Sequence, residues 1–90
     1  MTSRSIQVYG RVQGVAFRYS TKNKAEELNI YGTVKNMSDG TVFIEAIGQA
    51  SSMEAFIKWC YIGPRLARVD DIQIKEIRIK SFSSFDIIRT

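Results

Sequence analysis

The sequence contains no histidine. That removes the residue most often used as a general base near neutral pH, a common metal ligand and any phosphohistidine intermediate. Cysteine occurs once, as Cys60, so neither an internal disulfide nor a cysteine-built metal cluster can form. No apolar run approaches the ~20 residues needed to span a bilayer, and the polar start MTSRSIQ lacks a signal-peptide hydrophobic region. Pro/Ser-rich linkers, low-complexity runs and charge blocks are missing too. A lone thiol and the lack of a leader point to a cytoplasmic protein. Any chemistry must therefore draw on Arg, Lys, Asn, Ser, Thr, Asp, Glu, Tyr or backbone amides.

What is present fits one continuous domain over residues 1–90, with 44% hydrophobic and 24% charged residues, ordinary values for a globular fold. Thirteen Lys and Arg against nine Asp and Glu leave a net charge of +4. Two readings of that excess stand side by side: plain solubility, or attraction of an anionic partner such as nucleic acid, a membrane surface or a small phosphorylated molecule.

Ile6, Val8, Gly10 and Val12 alternate with Gln7, Tyr9 and Arg11, the period of a half-buried strand. From Phe17 to about Asn29 the spacing changes to that of a helix, with Phe17, Thr21, Ala25 and Leu28 on one side. Ile30 to Met37 and Thr41 to Ile47 read as two strands joined by Ser38-Asp39-Gly40, hence a hairpin. Ser51 and Glu54 have capping-box spacing. Met53, Phe56, Ile57 and Cys60 then predict a second amphipathic helix that Gly63-Pro64 stops. Val69, Ile72, Ile74, Ile77 and Ile79 predict a fourth strand whose phase slips near Glu76, and Phe85 with Ile87 a short fifth. The expected architecture is α+β: a ferredoxin-like split βαβ sandwich (βαββαβ), with a mostly antiparallel sheet and both helices on one face.

The junction Tyr9–Arg18 between the first strand and the first helix is where chemistry can sit. Glycine there permits positive φ, so consecutive N–H groups can converge on an anion, and the helix N-terminus adds unpaired donors and partial positive charge. Arg18 in the first turn opposes the helix dipole, which a bound anion would relieve, although a solvated Arg at this place is also ordinary. The loop is not a Walker A motif, since Gly10 and Gly14 are one residue too close and Val15 stands where Lys is required. A G-x-G-x-x-G fingerprint is absent as well. Cys60 lies on the apolar stripe of the second helix, which marks a buried structural thiol rather than a nucleophile. Asp70-Asp71 reads as flanking a strand start, so every covalent route to phosphoryl transfer lacks its nucleophile.

Gly10-Arg11-Val12-Gln13-Gly14-Val15-Ala16-Phe17-Arg18, followed by Gly32-Thr33-Val34-Lys35-Asn36 and Ser38-Asp39-Gly40-Thr41-Val42, resembles the two signature blocks of acylphosphatases. The likeness continues through Gly48, Gly63-Pro64, Ala67-Arg68-Val69 and Phe85-Asp86-Ile87, so it covers nearly the whole chain. It implies a ferredoxin-like fold and hydrolysis of small acyl phosphates to carboxylate and inorganic phosphate, with no metal and no cofactor. Arg18 would be the phosphate-binding arginine, the backbone amides of Gly14, Val15, Ala16, Phe17 and Arg18 the phosphate cradle, and Asn36 the residue that orients the attacking water. On its own pattern Asn36 is a polar residue on an otherwise apolar strand face, which a turn-proximal Asn satisfied by local backbone would also explain. Ala16, Thr33 and Lys35 depart from the common pattern of the family, with consequences expected for rate or stability rather than identity.

Two other readings remain at this level. A ferredoxin-like sheet with surface aromatics can bind single-stranded RNA, and Tyr9, Tyr31 and Phe43 are available for it, but the third strand has no K/R-G-F-x-F cluster. The chain could also be a non-catalytic regulatory domain of acylphosphatase type. The favoured reading has a small acyl phosphate and inorganic phosphate as partners, no nucleic acid, no membrane, and a monomer.

Overall fold

The computed structural model describes residues 1–78 and 81–89. The predicted alternation produces β1 (Thr2–Arg11), in which Ile6 and Val8 are fully buried while Gln7 and Tyr9 stay half-exposed. It lies inside a five-stranded sheet, paired antiparallel with β3 (Val42–Gly48) and with β4 (Arg68–Glu76). β2 (Tyr31–Asn36) pairs antiparallel with β3 and parallel with β5 (Phe85–Ile88), giving the order β4-β1-β3-β2-β5. With α1 (Phe17–Glu27) and α2 (Ala50–Ile62) the chain follows the βαββαβ plan plus the terminal strand. The ferredoxin-like architecture expected from the sequence is the one observed.

Connectivity decides where a site can form. β1 and β2 both run antiparallel to β3, so they are parallel to each other, and α1 between them runs back. The start of α1 and the ends of β1, β2 and β5 therefore gather at one edge of the molecule.

Both helices cover one sheet face over a single core. α1 buries Phe17, Thr21 and Ala25, and α2 buries Met53, Phe56 and Cys60. Phe17 meets Trp59 across the two helices with ring centroids 5.6 Å apart, and Phe56 meets Phe85 at 6.1 Å. Each such aromatic side chain contributes on the order of 1.5–3 kcal/mol through burial alone. The buried Thr21 hydroxyl donates to the Phe17 carbonyl at 2.7 Å, so it costs the core nothing unpaired. Gly63 closes α2 with φ +69°, and a Cβ there would lie 2.7 Å from a Phe17 ring carbon. Only glycine lets the chain turn this close to the residue that begins α1.

Three details differ from expectation. α1 stops at Glu27, short of Asn29, because Asn29 adopts φ +57° and a Schellman pattern forms, with Ile30 N–H on Ala25 O at 2.8 Å. The Ser51–Glu54 capping box does not form. α2 starts two residues earlier than that pattern needs, with Gln49 as the N-cap, its carbonyl accepting from Met53 N–H at 2.9 Å, and no side-chain cap. β4 stops at Glu76, short of Ile77, so the phase slip expected there is a break in the strand, and Ile79 lies outside the described residues. A register shift appears instead at Tyr9/Gly10 between β1 and β4.

Candidate functional site

The loop from Val12 to Phe17 is held by apolar pegs. Val12, Val15 and Phe17 are buried in the core, whereas Gly14 and Ala16 are exposed. Burying alternate side chains holds the intervening backbone at the surface. Gly14 takes φ +74° with open space around it, so glycine is needed there for conformation and not for room. Ala16 is the N-cap of α1, in the left-handed region at φ 61° and ψ 26°, and supplies no side-chain cap. Ser20 N–H is the first to reach back, to Ala16 O at 3.0 Å. The N–H groups of Phe17, Arg18 and Tyr19 therefore have no carbonyl within the helix. No acidic residue occupies that first turn, so nothing on the helix offsets the positive end of its dipole.

Asn36 is the last residue of β2. It stands opposite Val42 of β3, as Val34 stands opposite Ile44, and so lies on the helix-covered face. Its Oδ1 is buried with no hydrogen-bond partner among the described residues. The competing reading of the sequence, an Asn satisfied by nearby backbone, does not hold for this oxygen. Buried polar atoms are nearly always paired, and the exceptions call for an explanation.

A cavity of about 320 Å³ brings Arg18 and Asn36 together, lined also by Ile88 and Arg89. Of the residues singled out from sequence, these two contribute side chains to it. Gly14, Val15, Ala16 and Phe17 form the turn that leads into Arg18, and Val15 and Phe17, being buried, can offer only their backbone. Thr33 and Lys35 fall on the opposite sheet face, where the Lys35 ammonium sits 6.0 Å from the Phe43 ring centre.

Three contributors were not picked out from the sequence. Gln13 Nε2 donates to Met37 O at 2.8 Å and to Thr41 O at 2.9 Å, which ties the loop to the hairpin end that carries Asn36. Lys22 Nζ donates to Phe85 O and ties α1 to β5. Arg89 reaches the cavity from beyond the end of β5. No periodicity marks any of them, since each acts through a partner distant in sequence. The remaining candidates behave as structural groups: Cys60 is fully buried, which pushes its thiol far up, and Asp70 pairs with Arg68 at 2.9 Å.

The sequence profile of the acylphosphatase family matches residues 4–87. The chain belongs to the acylphosphatase family. A relative named acylphosphatase from Archaeoglobus fulgidus is 41% identical over 87 residues, covering 97% of this chain and 98% of its own. The crystal structure of acylphosphatase from Bacillus subtilis superposes with a TM-score of 0.95 at 36% identity, over 99% of this chain and 100% of that one. HypF from T. kodakarensis contains a similar unit, with a TM-score of 0.84 and 41% identity over 100% of this chain and 12% of that chain. Family, full-length relatives and fold agree on a hydrolase of acid anhydrides acting on acyl phosphates. No helix among the described residues is long and apolar enough to cross a membrane.

Proposed function

We propose that this acylphosphatase hydrolyses the carboxyl–phosphate bond of small acyl phosphates by direct attack of water, with Arg18 and Asn36 as its catalytic side chains. The phosphoryl group sits on the backbone amides of residues 14–18 and on the Arg18 guanidinium, which can clamp two of its oxygens. Asn36 orients the attacking water through its side-chain amide. The observation that carries this reading is the cavity that Arg18 and Asn36 line together.

A carboxamide is no base at neutral pH, and the chain has no histidine. The reaction tolerates this because the leaving group is a carboxylate, which departs without the general acid that otherwise contributes ~10²–10⁴-fold. What remains is positioning and stabilisation of charge on the phosphoryl oxygens, the main demands of a loose phosphoryl-transfer transition state. A phosphate oxygen itself takes the water's proton. The cavity offers guanidinium and amide groups rather than the carboxylates a divalent cation prefers, so metal-independent action belongs to this reading. A monomer acting in the cytoplasm belongs to it too.

The decisive assay is benzoyl phosphate hydrolysis by the parent, Arg18→Gln and Asn36→Ala. Losing one preorganised donor typically costs ~10²–10³ in turnover, so both variants fall at least that far. Parent-like rates in either variant would remove that residue from the mechanism, and loss of parent activity in chelator would overturn metal independence.

A further inference from the structure

The parallel pairing of β5 with β2 places Gly32 beside Phe85, Val34 beside Ile87 and Lys35 beside Ile88. One step further along that register sets Arg89 beside Asn36. Side chains alternate along a strand, so this position belongs to the face that Asn36 shares with the core and with α1. The shared lining of the cavity by Arg18, Asn36, Ile88 and Arg89 agrees with that placement. α1 contributes one guanidinium and the end of β5 a second.

Electrostatics gives the pair a purpose. Among the described residues, neither Arg18 nor Arg89 forms an ion pair with a carboxylate. Two guanidinium groups lining one cavity, one of them from the first turn of α1, form a concentrated positive field that a doubly charged ligand relieves best. At about 30 Å³ per water, the cavity holds roughly ten waters, room for a phosphoryl group that touches both arginines. Arg89 is exposed, so it can meet an anion arriving from solvent.

We infer that Arg89 is a second guanidinium of the phosphoryl site and tunes it toward the phosphoryl dianion. This deepens the proposed function and rests on it. Arg18 and the loop amides hold the group from the α1 side, and Arg89 holds an oxygen from the β5 side, next to the water that Asn36 directs.

Inorganic phosphate is the probe, with binding measured by calorimetry for the parent, Arg89→Gln and Arg89→Lys. Arg89→Gln is expected to weaken phosphate about tenfold, equivalent to ~1.4 kcal/mol. It is also expected to flatten the tightening that the inference predicts for the parent as phosphate goes from monoanion to dianion with rising pH. Arg89→Lys restores part of both effects, which a purely structural role at this exposed position would not do. Benzoyl phosphate hydrolysis follows the same order, with KM rising in Arg89→Gln. Parent-like phosphate affinity and pH dependence in Arg89→Gln would overturn the inference while leaving the proposed function intact. A parent that neither binds phosphate nor hydrolyses benzoyl phosphate would overturn both.

Discussion

The side-chain amide of Gln13 donates to the Met37 carbonyl at 2.8 Å, joining the loop before α1 to the residue that follows Asn36. Its second bond, to Thr41 O at 2.9 Å, reaches the other side of the same hairpin. One half-buried side chain thus ties the loop that leads to Arg18 to the hairpin end that carries Asn36, the two residues to which the proposed mechanism gives phosphate and water. Gln13→Ala is expected to lose about 1–2 kcal/mol of stability through two deleted hydrogen bonds. The larger effect falls on catalysis, since small misplacements of reacting groups cost up to ~10²-fold. Urea denaturation and kcat/KM measured on the same variant check this. An unchanged kcat/KM in a destabilised protein would show that the loop finds its place without Gln13.

Ala16 carries backbone strain at the N-cap of α1. A left-handed conformation costs a non-glycine residue ~1–2 kcal/mol, whereas glycine there gives back about 0.4–1 kcal/mol through the entropy of the unfolded chain. Ala16 is exposed, so no packing enters the balance. Ala16→Gly is therefore expected to stabilise the fold by up to about 1 kcal/mol. Ala16→Val, a β-branched residue at φ 61°, destabilises it by ~2 kcal/mol or more. Paired denaturation curves test the sign of each change. A destabilised glycine variant would show that the loop enforces its own geometry at no cost to Ala16.

The contrast between Asn36 and Arg89 shows how far the sequence could be read. The alternation along β2 put Asn36 on the apolar face, and a polar residue there already asks for a partner, so the signal was local. The apolar stripes of α1 and α2 were equally legible, as were the hairpin at Ser38-Asp39-Gly40 and the βαββαβ order. Arg89 became visible only when β5 paired with β2, because its place depends on a parallel register across some fifty residues of chain. The false capping box has a related cause. Ser51-x-x-Glu54 satisfies the spacing, but Gln49 takes an extended conformation and starts the helix before Ser51 can cap it. Helix ends are decided by backbone geometry that side-chain patterns report only in part.

Asp39 supplies a pH-dependent element in the same hairpin. Its carboxylate accepts from the Thr41 hydroxyl at 2.6 Å and from Thr41 N–H at 3.0 Å. These bonds, the hydroxyl first, hold its pKa below the ordinary 3.8. A lowered folded-state pKa means stability that is fully present above the unfolded value and lost as pH falls through the folded one. The parent is therefore expected to lose turn stability below about pH 4. Asp39→Asn, which cannot titrate, loses less over that range, so the gap between the two proteins narrows as acid is added. Urea midpoints from pH 6 down to pH 2 follow this directly. A constant gap across the series would rule out the Asp39 carboxylate as its source.

Asn36 places function and stability in opposition. Its Oδ1 is buried without a protein partner, and a buried acceptor left unpaired costs ~1–3 kcal/mol. In the proposed mechanism Asn36 orients the attacking water, which gives a polar residue at this strand end a use despite that cost. Asn36→Leu removes the unpaired acceptor and places an apolar side chain beside Val34, Val42 and the core. It is expected to raise the midpoint of thermal unfolding, with a gain of about 1 kcal/mol, while benzoyl phosphate turnover falls by ~10²-fold or more. Asn36→Asp separates the effects differently, since a carboxylate in that place pays a desolvation cost and repels the phosphoryl anion beside it. It should lose both stability and turnover. If Asn36→Leu destabilises the fold instead, the unpaired acceptor is not the dominant cost at this strand end.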